Sequence, residues 1–204
     1  MILKRIIDII SGVIGLIITS PLWLYVVIKI KTEDRGPVFF VQERVGRNSR
    51  LFRMYKFRSM VVGAEKKGLG VFVSTDDERI TKIGKFIRKT SIDELPQLIN
   101  VLKGEMSIVG PRPTLEYQVE RYNKEQKRRL LVKPGITGWA QVNGRNNMTW
   151  PEKIKLDLWY VDHWSVGLDL KIIGRTIILV IKRKGIYAEE GIIVDEISRI
   201  DYKD

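Results

Sequence analysis

A run of twenty residues without a charged side chain, from Ile9 to Ile28, constrains the fold of this chain more than any other feature. As a helix the run would be roughly 30 Å long, about the thickness of the hydrocarbon core of a bilayer. No Ala-x-Ala-like cleavage site follows it, and it is longer than the apolar region of a signal peptide. We therefore expect a membrane segment that is retained rather than cleaved.

Ser20 and Pro21 lie in the middle of this run, where proline removes a main-chain hydrogen bond and can bend the helix sharply. Positive side chains flank both ends of the run: Lys4, Arg5, Lys29, Lys31 and Arg35. Because the flanks are balanced, the positive-inside rule assigns no orientation. A broken helix that enters and leaves one leaflet would satisfy both observations. These features alone leave a simple spanning helix equally open.

The charge balance indicates an anionic partner. The 204 residues include 36 Lys+Arg and 24 Asp+Glu, for a net charge of +12, which suits nucleic acid, an anionic membrane or a phosphorylated substrate. The chain has no cysteine and a single histidine, His163, which excludes thiol catalysis, disulfides and His-rich metal sites. The sequence contains neither a GxxxxGK[ST] nor a GxGxxG phosphate loop. Any chemistry must therefore use carboxylates, arginine and lysine.

Beyond residue 35 the pattern predicts an α+β fold, mainly helical with a small β-hairpin. The predicted elements are strands at 38–42 and 51–57, helical stretches at 80–102, 115–132 and 154–164, a loop at 135–147 and an amphipathic helix at 168–184. The last helix suits either core packing or the membrane interface. We expect most of six cations in the hairpin to lie against lipid headgroups: Arg44, Arg47, Arg50, Arg53, Lys56 and Arg58.

Asp93 and Glu94 form an adjacent carboxylate pair close to a predicted helix start. A structural interpretation is available, since Ser91 with Glu94 has capping-box spacing and Asp93 with Pro96 has the spacing of an N-cap with proline in the first turn. The functional interpretation is a carboxylate nucleophile beside a metal-binding carboxylate. Cations that could bind a diphosphate nearby are Arg88, Arg112 and Arg145, each of which is more commonly a surface residue.

Several motifs in this order resemble those of one family. They are Lys4 to Asp8 (KRIID), Thr19 to Pro21 (TSP), Tyr55 to Met60 (YKFRSM), Ser91 to Leu98 (SIDELPQL), Asn100 to Gly104 (NVLKG), Ser107 to Pro113 (SIVGPRP) and Lys133 to Asn146 (KPGITGWAQVNGRN). On these residues the chain resembles the bacterial sugar transferases, specifically the small monotopic, PglC-like phosphoglycosyl transferases that load a phosphosugar onto undecaprenyl phosphate. The resemblance covers nearly the whole chain.

The resemblance implies a re-entrant membrane anchor at residues 1–35, broken at Ser20-Pro21, and a catalytic domain at residues 36–204 on the cytoplasmic face of the bacterial inner membrane. It implies that Asp93 is the nucleophile, that Glu94 positions it or binds the metal, and that Mg²⁺ is required. Residues implied to line the nucleotide-sugar site are Lys56, Arg88, Arg112 and Arg145. Asp157 and Asp169 fall in family-like segments and are interpreted as supports.

The implied reaction moves a sugar 1-phosphate from a UDP-sugar to undecaprenyl phosphate through a phosphosugar on Asp93, with release of UMP. Anionic lipids are expected as further partners and nucleic acid is not. The rival hypothesis is a membrane-tethered, basic nucleic-acid-binding module, which the net charge favours but for which no recognition motif is present. A second alternative is a catalytically inactive transferase fold that acts as a scaffold, and the intact Asp93-Glu94 pair argues against it. The sequence leaves open which sugar is carried and whether the chain forms oligomers.

Overall fold

The computed structural model describes residues 2–64, 77–144 and 148–182. Its helices are α1 Ile2–Asp34, α2 Lys82–Lys89, α3 Gln97–Lys103, α4 Glu116–Glu120, α5 Trp139–Asn143, α6 Trp150–Asp162 and α7 Val166–Lys182. Its strands are β1 Phe39–Val45, β2 Leu51–Phe57, β3 Ser107–Val109 and β4 Gly135–Thr137. Strands β1 and β2 form an antiparallel hairpin, and β3 pairs with β4 in parallel. The predicted α+β fold with a long apolar N-terminal helix is confirmed.

Helix α1 continues through Ser20 and Pro21 without interruption. Pro21 has no N–H to donate to the carbonyl of Ile17, and the Ser20 hydroxyl donates to that oxygen instead, at 2.8 Å. The predicted break is therefore absent from the secondary structure, while the bend and the re-entrant path stay predictions. By its length and by the mean hydropathy of its most apolar 18 residues (2.0), α1 is the helix among the described residues that could cross a membrane.

Both ends of α1 are fixed to the rest of the molecule. Near its start, Arg5 donates to the carbonyls of Val101 and Leu102 at the end of α3, at 2.5 and 2.7 Å. At its end, the Glu33 carboxylate accepts the first two main-chain N–H groups of α2, at 2.6 and 3.0 Å. Asp34 forms an ion pair with the buried guanidinium of Arg58. The start of α1 is thus held by α3, and its end is held by α2 and Arg58.

The core lies between α1, the hairpin and the short helices. Val26 and Ile30 of α1 pack with Phe57, Ile83 and Ile87 in one apolar cluster. A polar joint links the hairpin to α3, because the buried Asn100 amide accepts from the Tyr55 N–H at 3.1 Å and donates to the Arg53 carbonyl at 2.7 Å. Asn100 therefore occupies the free edge of β2 as a further strand would.

Three predicted boundaries were wrong. The helical stretch at 80–102 divides into α2, a 3₁₀ turn at Ile92–Glu94 and α3, because Ser91 adopts a left-handed conformation (φ 58°) that no helix continues through. The stretch at 115–132 is α4 followed by a 3₁₀ segment, Gln126–Leu131. The loop at 135–147 contains β4 and α5, and its last three residues lie outside the described residues. The hairpin, α6 and α7 match their predictions to within a few residues.

Candidate active site

Asp93 and Glu94 lie in the 3₁₀ turn between α2 and α3. Neither predicted cap forms. Ser91 makes no side-chain cap hydrogen bond, and α3 begins after Pro96 rather than after Asp93. The two carboxylates are therefore free of the main-chain groups that a capping role would occupy, and they face side chains from other elements.

Glu94 is held by two cations from distant parts of the chain. Its Oε1 accepts from Nζ of Lys56 on β2 at 2.9 Å and from the Arg112 guanidinium at 2.7 Å. Burial acts to raise the pKa of Glu94, but the charges and hydrogen bonds of Arg112 and Lys56 outweigh burial and lower this pKa well below its usual range. Glu94 is thus ionised at neutral pH and serves as the fixed negative centre of the site.

Asp93 is half-buried and has no hydrogen bond or ion pair through its side chain among the residues that the structure describes. Burial raises the pKa of Asp93 to about 6, and the Glu94 charge adds to this rise against the opposing charges of Lys56, Arg88 and Arg112. At neutral pH the carboxylate is therefore mostly ionised. An ionised and unpaired carboxylate beside several cations is suited to attack an anionic electrophile.

Arg112 projects from the Gly110–Pro113 turn, whose main chain is held from behind. The Arg129 guanidinium donates to the Arg112 carbonyl at 3.0 Å and to the Tyr122 hydroxyl at 2.6 Å. It also forms an ion pair with Asp157. Arg129 and Asp157 are both buried. Asp157 therefore acts as a support for the turn that carries Arg112.

Asp169 joins three elements. Its carboxylate accepts from Lys4 of α1 at 2.6 Å, from Tyr160 of α6 at 2.7 Å and from Trp164 at 3.1 Å. These contacts tie the start of α1 to the α6–α7 pair. Asp169 is therefore placed as a structural support.

The hairpin cations are not mainly a lipid-facing surface, contrary to the sequence-based expectation. Arg58 is buried against Asp34, and Nε of Arg47 donates to the Leu131 carbonyl at 3.0 Å. Arg44 and Lys56 are half-buried on one hairpin face, and Lys56 contacts Glu94. Only the remaining two of the six, Arg50 and Arg53, are exposed. The half-buried face that Arg44 shares with Lys56 was not predicted, although the alternation of side chains along the two strands could have indicated it.

The predicted site residues are thus partly brought together. Lys56, Glu94 and Arg112 are in direct contact, and Arg88 acts electrostatically on Asp93. Arg145 lies outside the described residues.

The carboxylate pair fits a magnesium ion in the donor atoms that it offers. Within residues 2–64, 77–144 and 148–182, no group of three or more His, Asp or Glu side chains forms a complete metal site. Mg²⁺ commonly binds through one or two carboxylates together with substrate phosphates. Asp93 and the second oxygen of Glu94 supply such carboxylates, since no hydrogen bond among the described residues occupies them.

The structure thus combines a helix that is long and apolar enough to cross a membrane with a site of two carboxylates and the fixed cations Lys56 and Arg112. The chain belongs to the bacterial sugar transferase family, whose model matches residues 1–183.

Three relatives illustrate the range of this similarity. The galactosyl transferase CpsE of Streptococcus agalactiae is 53% identical over 196 residues, which cover 91% of this chain and 43% of that protein. The uncharacterized sugar transferase EpsL of Bacillus subtilis is 48% identical over 186 residues, 91% of each chain. The undecaprenyl-phosphate galactose phosphotransferase of Salmonella typhimurium is 44% identical over 199 residues, 91% of this chain and 42% of that protein. The chain therefore spans less than half the length of the first and third relatives.

Proposed function

We propose that this protein transfers a sugar 1-phosphate from a UDP-sugar to undecaprenyl phosphate and releases UMP. The observation that carries the proposal is the contrast within the carboxylate pair, in which Glu94 is fixed by Lys56 and Arg112 while Asp93 is unpaired among the described residues. The Salmonella relative, an undecaprenyl-phosphate galactose phosphotransferase, supports undecaprenyl phosphate as the acceptor.

In the first step an Asp93 oxygen attacks the phosphorus bonded to the sugar. A phosphorus–oxygen bond forms to Asp93, the bond to the bridging oxygen breaks, and that oxygen leaves with its electron pair as part of UMP. The carboxylate needs no general base, because it is already ionised near neutral pH. Lys56, Arg88 and Arg112 offset the negative charge of the diphosphate.

In the second step an oxygen of undecaprenyl phosphate attacks the same phosphorus. The bond to Asp93 breaks, the carboxylate is regenerated, and the sugar is carried on a lipid diphosphate. The acyl phosphate is reactive enough to donate to a lipid phosphate, which is a weak nucleophile. A bound Mg²⁺ held by Asp93 and Glu94 would supply further charge neutralisation at the diphosphate.

The contacts of α1 favour a re-entrant path on the cytoplasmic face of the inner membrane. A straight helix of 33 residues is roughly 50 Å long, so a spanning path would place its ends on opposite sides of the hydrocarbon core. Arg5 and Asp8 near its start bond to α3 and β3, and Glu33 at its end bonds to α2, so both ends bond to elements of the domain that follows α1. A helix that leaves through the leaflet that it entered satisfies both contacts.

Intact-protein mass spectrometry tests the covalent step. The chain mixed with UDP-sugar and Mg²⁺, without lipid acceptor, should gain the mass of a sugar phosphate at Asp93 and release UMP. Asp93→Asn should abolish both, because it keeps the size and removes the charge, while Glu94→Gln should slow both. UMP release that strictly requires undecaprenyl phosphate, with no adduct, would favour direct transfer and contradict the covalent mechanism.

A further inference from the structure

One face of the hairpin carries two half-buried cations. The register of β1 and β2 pairs Phe40 with Lys56, Gln42 with Met54, and Arg44 with Phe52, so these six side chains share a face. Lys56 of this face forms an ion pair with Glu94. Arg44 is the second cation of the same face, and no role has been given to it so far.

Arg44 is held in place but incompletely satisfied. One terminal nitrogen donates to Oε1 of Gln42 at 2.6 Å, which orients the guanidinium. The other lies 3.5 Å from the Pro113 carbonyl, at the outer limit of a hydrogen bond. Nε is buried and has no hydrogen-bond partner among the described residues. A buried N–H without an acceptor is costly, and its presence in a charged side chain next to a binding site points to an acceptor on the ligand.

Arg44 lies beside the turn that carries Arg112, because its guanidinium approaches the carbonyl of the neighbouring Pro113, and it shares two electrostatic partners with Asp93. The charges acting on Arg44 include those of Arg112 and Glu94, and both of these also act on Asp93. Burial, together with the Arg112 charge, lowers the pKa of Arg44 to about 10, so the guanidinium is still a cation at neutral pH. A diphosphate attacked by Asp93 and bound at Arg112 would therefore have a further cation within its reach.

We propose that Arg44 is a further substrate-binding residue that holds the phosphate lying opposite Asp93 across the reacting phosphorus. The assignment rests on the two-step transfer proposed above. In that transfer the nucleotide phosphate leaves from the side of the phosphorus opposite Asp93. The lipid phosphate must then attack from that same side to displace the Asp93 carboxylate. Both are phosphate monoesters in the same position, so one cation serves both half-reactions.

Binding of a nucleoside and of its 5′-phosphate, which differ only in the phosphate, tests the contact. The full chain in detergent is titrated with UMP and with uridine, in Mg²⁺ buffer, by calorimetry. Arg44→Gln should weaken UMP binding about ten- to a hundredfold, the usual value of a charge-assisted hydrogen bond, and leave uridine binding within about twofold. Arg53→Gln, which removes an exposed cation from the other hairpin face, is the matched control and should leave both unchanged.

The second half-reaction tests the shared position. Adduct formed on the unaltered protein and on Arg44→Gln is mixed with undecaprenyl phosphate, and its decay is followed in a single turnover. The decay should slow by a factor similar to the loss of UMP affinity. Arg44→Lys keeps the charge without the planar fork and should give an intermediate loss in both measurements at an unchanged melting temperature.

Two results would overturn the assignment of Arg44. Equal losses of UMP and uridine affinity in Arg44→Gln and Arg44→Lys would indicate a role in folding of the site. Unchanged UMP affinity with unchanged adduct decay would remove any contact with phosphate. Failure of the proposed function itself is distinguishable, because in that case the unaltered protein would form no adduct at all.

Discussion

Asp93 and Glu94 are neighbours in sequence but have opposite pKa shifts, because their side chains meet different partners. Lys56 and Arg112 both bind Glu94 directly, whereas Asp93 feels burial and the Glu94 charge without a direct partner among the described residues. Such separation of two carboxylates by their surroundings is how one pair acquires two roles. At the residue scale, the cations around this pair decide which carboxylate can react.

Arg112→Ala should reduce turnover about a hundredfold or more, because it removes a charge-assisted contact to Glu94 and a candidate diphosphate ligand. Arg50→Ala is the matched control, since Arg50 is exposed in the hairpin, and it should change turnover less than about twofold. UMP release measured under saturating UDP-sugar compares the two. Similar losses in both variants would show that general attraction to anions, rather than a phosphate site, is what these arginines supply.

Asp157→Leu should destabilise the fold by about 3–5 kcal/mol, because it leaves the buried Arg129 charge uncompensated. Adding Arg129→Met should recover most of that stability, measured by thermal unfolding in detergent. Activity should stay low in the double variant, since the Arg112 carbonyl loses the donor that fixes its turn. Full recovery of turnover would show that the Arg129 contact does not position Arg112.

UMP release should stop in excess chelator and return with Mg²⁺, because the carboxylates and the substrate phosphates are oxygen donors that suit this ion. Ca²⁺ offers a comparison, since it binds similar donors with looser geometry and should restore less activity. Full activity in chelator would mean that lysine and arginine alone neutralise the diphosphate.

At the scale of the elements, two glycines of α1 let this helix approach α3 closely. A Cβ atom added at Gly12 would lie 2.9 Å from Cδ2 of Leu102, and one at Gly15 would lie 3.1 Å from Cδ1 of Leu98. Both leucines belong to α3, the helix that directly follows the carboxylate turn. The contact between the two helices therefore determines how closely the carboxylate turn lies against α1.

Gly12→Val should lower the free energy of unfolding by about 1–3 kcal/mol, as overpacking of a tight contact does. Gly174→Ala on α7 is the control, because a Cβ there meets nothing within 4 Å and alanine favours helix. It should leave the melting temperature unchanged or slightly higher. Equal stability of the two variants would mean that α1 does not pack on α3 as described.

Some elements and contacts could be predicted from the sequence, and others could not. The hairpin and α6 followed from local signals, the Gly46–Ser49 turn and the helical periodicity, and these signals persist in the structure. The break at Ser91 was missed because a left-handed serine depends on tertiary contacts rather than on local preference. The contact of Lys56 with Glu94 joins residues 38 positions apart and was not predicted; family resemblance implied only that both residues belong to the site.

At the scale of the whole molecule, topology is the property most open to a direct test. The chain has no cysteine, so a single Leu3→Cys, on an exposed side chain, is the sole site for a thiol reagent. The re-entrant path predicts no labelling from the periplasmic side of intact cells. Adding Ser20→Leu with Pro21→Ala should shift part of the population to a spanning path and make the cysteine reactive. Periplasmic labelling of Leu3→Cys alone would contradict the re-entrant path.

Because α1 is bonded to the rest of the molecule at both ends, deletion of the first 35 residues is a poor route to a water-soluble form of the protein. Such a truncated chain would lose the carboxylate that neutralises the buried Arg58, the acceptor for the first N–H groups of α2 and the apolar cover of Ile83 and Ile87. Each loss falls on an element adjoining Lys56 or Asp93. The helix is therefore part of the folding unit, and solubility is better sought by exchanging its exposed apolar side chains, such as Ile14, Ile17 and Leu24, for polar ones.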